Sequence, residues 1–146
     1  MSLSTILTME TVAVGLQSRD KHRIINELLD ILVRAGSITD KPAALKAILE
    51  REEKMSTGMK YGIAIPHGKT ETVASLVACV GISNEAIPFD TLDGKPARIF
   101  IMTLSPPQKT GPHLQFLAEV SQLFKSASRR EAAISARTSE IGRAHV

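Results

Sequence analysis

Two near-continuous apolar runs in the middle of the chain restrict the fold more than any other feature of the sequence. They cover residues 73–82 and 97–104, and both are rich in small and β-branched side chains. Such runs predict strands that are buried on both faces, because a strand with one solvated face alternates apolar and polar residues. A sheet of this kind must be covered by helices on each side.

Amphipathic helices are predicted before and after these strands. Residues 24–32 place apolar side chains at helical spacing, and Ser18 is a good N-cap for the helix that contains them. Further helices are predicted from Asp40, from Pro112 and from a cap at Ser128. The order of helices, strands and helices predicts an α/β (α+β) domain, with a mixed central sheet flanked by helices on both faces.

Composition excludes several classes of function. The chain has 146 residues, of which 43% are apolar and 23% are charged, and this suits one domain with a single core. Its net charge of +3 is too small, and its basic residues are too scattered, to indicate binding to nucleic acid. No apolar stretch approaches the ~20 residues of a membrane span, and the N-terminus does not resemble a secretory signal. We therefore expect a cytoplasmic protein without direct membrane insertion.

The cysteine and histidine residues do not indicate a metal site. Cys79 is the only cysteine, and its position inside an apolar run predicts a small core residue. The four histidines are far apart in the sequence, and no Cys/His spacing resembles a zinc site: His22, His67, His113 and His145. We expect no metal.

Residues 61–68 contain the first candidate functional side chain. The apolar residues 63–65 predict a short buried strand, and Pro66 should interrupt regular pairing because it lacks an N–H group. Gly68 lets the backbone turn or pass close to another group. His67 is then rigidly presented where the sheet meets solvent, which suits chemistry. A histidine that merely caps the strand is an equally good interpretation of this stretch alone.

Two histidines are expected at element ends, since His67 follows one buried strand and His113 begins a helix that follows another. Strand ends and helix N-termini gather on one rim in layered folds, so the two side chains are neighbours if both elements end there. The helix dipole opposes protonation of His113, and a neutral imidazole is what a nucleophile needs. Phosphoryl transfer would require such an acceptor nitrogen, N–H donors and a cation. Arg51 is the best candidate cation, although the residues alone favour a surface arginine paired to Glu50 or Glu52.

Three separated segments of the chain resemble one known family. Residues 51–52 read Arg-Glu and are followed by Ser-Thr-Gly at 56–58; residues 62–68 read Gly-Ile-Ala-Ile-Pro-His-Gly; His-Leu follows at 113–114. In this order and spacing they resemble enzyme IIA of the fructose/mannitol class, a component of the bacterial phosphoenolpyruvate-dependent sugar phosphotransferase system. The resemblance covers roughly residues 5–140.

The resemblance implies a function that composition and spacing do not show. It places the phosphorylated histidine of the family at His67, the second active-site histidine at His113 and the active-site arginine at Arg51. It implies that the phosphocarrier protein HPr donates the phosphoryl group and that a IIB domain accepts it during uptake of a fructose-like sugar. It implies no cofactor. His113 would position the phosphorylated ring, and Arg51 would stabilise the transferred charge.

Two other functions remain open at this point. One is a regulatory IIA of the nitrogen type, in which phosphorylation of His67 controls the binding of protein partners. The other is a IIA-like binding domain without any transfer, which the presence of all three matching polar residues disfavours. Phosphate transfer to a purified sugar IIB domain would separate the first two.

The C-terminus departs from the resemblance. The last six residues, Ile-Gly-Arg-Ala-His-Val, are what a common sequencing-adapter sequence would encode. We therefore expect residues 1–140 to form the IIA domain and residues 141–146 to be a non-native read-through tail. On this interpretation His145 has no function, and the natural chain continues differently.

Overall fold

A computed structural model describes residues 7–135 of the chain. These residues contain a five-stranded sheet and four helices. The strands are β1 (Val12–Val14), β2 (Ile63–Ala64), β3 (His67–Lys69), β4 (Val77–Ile87) and β5 (Ala97–Ser105). The helices are α1 (Lys21–Arg34), α2 (Lys41–Lys54), α3 (Thr110–Leu123) and α4 (Ala127–Ile134). The expected tail at residues 141–146 lies outside the described residues.

The sheet is mixed, as predicted. Its order is β1-β4-β5-β2, and β3 also pairs with β5. β4 and β5 are antiparallel, whereas β1 is parallel to β4, and β2 and β3 are both parallel to β5. The sheet therefore centres on the two apolar runs that the sequence singles out.

Helices cover both faces of the sheet, which confirms the layered α/β architecture. Successive side chains of β5 point to opposite faces, so Phe100 and Met102 belong to the apolar cluster beneath α1 and α2. Ile99 and Ile101 belong to the cluster beneath α3 and α4, which also contains Phe116. In the described part of the chain, no helix is long and apolar enough to cross a membrane.

Several predicted boundaries are wrong by a few residues. Asp20, and not Ser18, caps α1, and its carboxylate accepts a hydrogen bond from the Arg23 N–H at 2.9 Å. The Ser18 hydroxyl instead donates to the Glu27 carboxylate at 2.7 Å. Ser126 caps α4 in place of the predicted Ser128. A polar cluster offers several possible caps, and the path of the chain selects among them.

The first long strand also differs from its prediction. β4 begins at Val77 and continues to Ile87, whereas the apolar run predicts a strand over residues 73–82. Residues 84–86 are exposed, and the register with β5 shifts between Ile82 and Ile87. Polar residues are tolerated in this part of the strand because they face solvent. A prediction from hydrophobicity alone therefore places the end of the strand too early.

The chain near Pro66 pairs with β5 on both sides of the proline. Ile63 pairs with Ile99 in β2, and His67 pairs with Thr103 in β3, in the same register. The Pro66 carbonyl accepts from the Thr103 N–H at 3.0 Å, so only the N–H group that proline lacks interrupts the ladder. His67 therefore begins a second short strand and does not simply end the first.

Candidate active site

The His67 side chain is half-buried, and its orientation is fixed by its own backbone segment. Its Nδ1 atom lies 2.7 Å from the Ile65 carbonyl oxygen. A carbonyl can only accept, so Nδ1 must carry the proton. Nε2 then keeps its lone pair. This tautomer presents Nε2 as a nucleophile or acceptor.

His113 lies beside His67, as the shared rim predicts. The ring centroids are 5.3 Å apart, and the ring planes are at 76°. His113 is 4% exposed; its Nε2 is 2.9 Å from the Thr103 hydroxyl and its Nδ1 is 3.3 Å from the Ser105 hydroxyl. Thr103 is also the register partner of His67 in β5. One strand residue therefore connects the two histidines.

Thr103 and Ser105 are site residues that sequence reasoning missed. Both are fully buried hydroxyl residues at alternate positions of a strand whose other residues, apart from Arg98, are apolar. A buried hydroxyl needs a hydrogen-bond partner, so this spacing predicts a polar group facing that side of the strand. That signal was available in residues 97–105.

Both imidazoles are held in the neutral form. Burial lowers the pKa of His67, and the nearby positive charge of Arg51 lowers it further, against the opposing effect of the Ile65 carbonyl. Burial lowers the pKa of His113 to about 4, with smaller contributions from His67 and Lys69. α3 begins at Thr110, so His113 lies in the first turn of the helix, as predicted, and burial is the largest cause of its lowered pKa.

Arg51 lies in the last turn of α2, and its Nη1 donates to the Met55 carbonyl at 2.6 Å. The expected pairing with Glu50 or Glu52 is wrong for the described residues, where Glu50 approaches Lys46 and Glu52 pairs with Lys21. The guanidinium therefore keeps its other donors for an anion.

Gly68 brings α2 close to β3. A Cβ atom at Gly68 would lie 2.9 Å from the backbone carbonyl carbon of Ala47, so only glycine allows this approach. Arg51 is one helical turn beyond Ala47 on the same face. The close contact therefore places the arginine at the same cleft as His67.

A cleft of about 740 Å³ connects these side chains. His67, His113 and Arg51 line it together with Lys54 and Lys69, and Leu114 and Leu117 supply an apolar side. Glu50 and Glu53 also line the cleft, but its basic residues outnumber them. The arrangement therefore suits an anion held beside a neutral nitrogen nucleophile. No group of three histidine, cysteine or acidic residues that could hold a metal occurs in the part of the chain that the structure describes.

Comparison with known proteins places the chain in a family. The family model described as "Phosphoenolpyruvate-dependent sugar phosphotransferase system, EIIA 2" matches residues 5–141. A "PTS system fructose-specific EIIA component" of Haloferax volcanii is 37% identical, with 94% of this chain and 90% of that protein covered. A "PTS system fructose-specific EIIABC component" of Bacillus subtilis is 32% identical over 96% of this chain, which spans only 22% of its length.

A solved structure with the same fold is that of the nitrogen regulatory protein IIA-Ntr from Neisseria meningitidis. Its TM-score is 0.90 at 29% identity, with 98% of this chain and 97% of that chain covered. The three named relatives thus include both transport components and a regulatory protein.

Proposed function

The chain belongs to the EIIA type 2 family of the phosphoenolpyruvate-dependent sugar phosphotransferase system, and we propose that it carries its phosphoryl group on Nε2 of His67. The observation that carries the proposal is the hydrogen bond from His67 Nδ1 to the Ile65 carbonyl, which leaves Nε2 unprotonated. A neutral, oriented nitrogen beside a guanidinium is what acceptance of a phosphoryl group requires.

The proposed step exchanges one phosphorus–nitrogen bond for another. Nε2 of His67 attacks the phosphorus of a donor phosphohistidine in line, a new N–P bond forms, and the bond to the donor nitrogen breaks. The His67 ring gains positive charge in this step, and the Ile65 carbonyl stabilises it through Nδ1–H. Arg51 stabilises the charge on the transferred oxygens. The neutral ring of His113 packs beside the His67 ring and keeps it in position.

We propose HPr as the donor and a IIB domain or protein as the acceptor, which is what the family resemblance implies. The open cleft beside His67 is large enough to admit a partner's reactive side chain, and exposed Leu114 gives it an apolar edge. The apolar residues nearest to His67 in the chain do not form such an edge, because Ile65 and Pro66 are buried and Met59 lines a separate pocket.

Labelling with the purified phosphotransferase components tests this function. We expect the chain to accept acid-labile phosphate from phosphoenolpyruvate when enzyme I and HPr are present. His67→Ala should accept none, and His22→Ala, which changes an exposed residue of α1, should be labelled normally. Labelling of His67→Ala at the wild-type level would refute the proposal.

Uptake of a fructose-like sugar is the transport role that the relatives support, since two of them are named as fructose-specific components. A regulatory role is the second candidate, because the Neisseria structure with a TM-score of 0.90 is a nitrogen regulatory protein. Transfer from the phosphorylated chain to a purified fructose IIB domain favours transport. Absence of that transfer, with His67 labelled normally, favours the regulatory role.

A further inference from the structure

We infer that Glu52 and Thr57 are positioning residues for phosphoryl transfer, because together they hold the backbone of Ile65, whose carbonyl fixes the tautomer of His67. This inference rests on the proposed function. It identifies the residues that determine which nitrogen of His67 is unprotonated and able to react. Neither residue lines the cleft that contains His67. The negative charge of Glu52 also opposes the lowering of the His67 pKa through space. Any effect of Glu52 and Thr57 on the position of the ring must instead pass through other groups.

The Glu52 carboxylate is the centre of this arrangement. Its side chain is 6% exposed, and Oε2 forms an ion pair with Lys21 Nζ at 2.7 Å. Oε1 accepts from the Thr57 N–H at 3.0 Å and from the Thr57 hydroxyl. A carboxylate so nearly buried is costly unless it is paired and hydrogen-bonded. These donors satisfy that requirement and fix Thr57 against the end of α2.

Thr57 transmits this constraint to His67 through the backbone of one residue, Ile65. Its carbonyl accepts from the Ile65 N–H at 3.0 Å, and the Ile65 carbonyl in turn accepts from His67 Nδ1 at 2.7 Å. Both backbone polar groups of Ile65 are therefore used, one on each side of the connection. Displacement of Thr57 would move the carbonyl that keeps the proton on Nδ1.

The same connection fixes the arginine of the site. Arg51 donates to the Met55 carbonyl. Met55 lies between the end of α2 and Thr57, the residue that Glu52 binds. Residues 55–57 are thus held by two adjacent side chains of the helix that precedes them. The tautomer of His67 and the direction of Arg51 consequently depend on one short connection.

The alternative is that Glu52, Lys21 and Thr57 only join α1, α2 and the following loop. Loss of such a structural link would lower the free energy of unfolding and leave the histidine ring unchanged. The two roles therefore differ in a property of the free protein that can be measured without any partner, namely which nitrogen of His67 carries the proton.

The test uses Thr57→Val, which removes the hydroxyl at nearly constant shape, and Glu52→Gln, which removes the charge. Thr57→Ser restores the hydroxyl. Asp30→Asn is the matched control, because it breaks a 2.7 Å ion pair to Lys41 between α1 and α2 away from the cleft. Histidine ¹⁵N chemical shifts report the tautomer of His67, and thermal unfolding reports stability.

We expect Thr57→Val and Glu52→Gln to increase the Nε2–H form of His67 and to slow phosphorylation by phospho-HPr about tenfold, since small misplacements of reacting groups are costly. Thr57→Ser should recover both properties, and Asp30→Asn should change neither.

Unchanged His67 shifts and an unchanged rate in the Thr57 and Glu52 variants would overturn the inference, whatever happens to their stability. A wild-type chain that accepts no phosphate would instead refute the proposed function. The ¹⁵N shifts still test the positioning role in that case, so the two failures are distinguishable.

Discussion

Acidification should destabilise this protein through His113, and the size of the effect follows from its burial. The pKa of an exposed histidine is 6.5, and burial lowers that of His113 to about 4 in the folded state. The unfolded state therefore binds a proton more readily, and the stability gained from a neutral His113 is fully present above pH 6.5 and is lost as the pH falls towards 4. At 1.36 kcal/mol for each unit of pKa, acidification from pH 8 to pH 5 removes about 2 kcal/mol.

Urea unfolding at the two pH values measures this loss directly. His113→Gln is the comparison, because glutamine can still hydrogen-bond Thr103 and Ser105 but does not titrate. Burial lowers the pKa of His67 as well, so the variant should keep part of the pH dependence. We expect the wild-type loss to exceed the variant's loss by about 2 kcal/mol. Equal losses in the two proteins would refute the assignment of a buried, neutral His113.

Two further substitutions test how the site is built. Gly68→Ala places a Cβ 2.9 Å from the Ala47 backbone, so we expect a loss of about 1–3 kcal/mol in unfolding experiments and slower phosphorylation. Gly111→Ala meets nothing within 4 Å and should be neutral or stabilising, and equal stability of both variants would contradict this packing. Arg51→Gln should slow phosphorylation by ~10²-fold, as loss of one transition-state donor does. It should lower the free energy of unfolding by no more than about 1 kcal/mol, because the hydrogen bond to the Met55 carbonyl is exposed. The initial rate of labelling by phospho-HPr measures this effect. A wild-type rate would show that Arg51 does not contribute to the transfer.

The layered fold could be predicted from the sequence because its determinants are local. The apolar run over residues 97–104 became β5 almost as predicted, and helices formed where apolar side chains recur at helical spacing. Boundaries were less predictable, because Asp20 and Ser126 were selected as caps by the path of the chain and not by composition.

The site required information that no local pattern contains. His67 and His113 could be singled out as residues at element ends, but their contact depends on the register that pairs His67 with Thr103. Pairing with acidic neighbours was the favoured interpretation of Arg51, because nothing local shows that Glu52 pairs with Lys21. Long-range register and ion pairing therefore account for most of what sequence reasoning missed.

The position of the phosphoryl group on the imidazole tests the central claim most directly. The chain would be labelled with ¹⁵N-histidine, phosphorylated through enzyme I and HPr, and examined for ¹⁵N–³¹P coupling. The hydrogen bond from Nδ1 to the Ile65 carbonyl predicts phosphorus bonded to Nε2 of His67, with Nδ1 still protonated. Phosphorus on Nδ1 of His67, or on any other residue, would contradict the account.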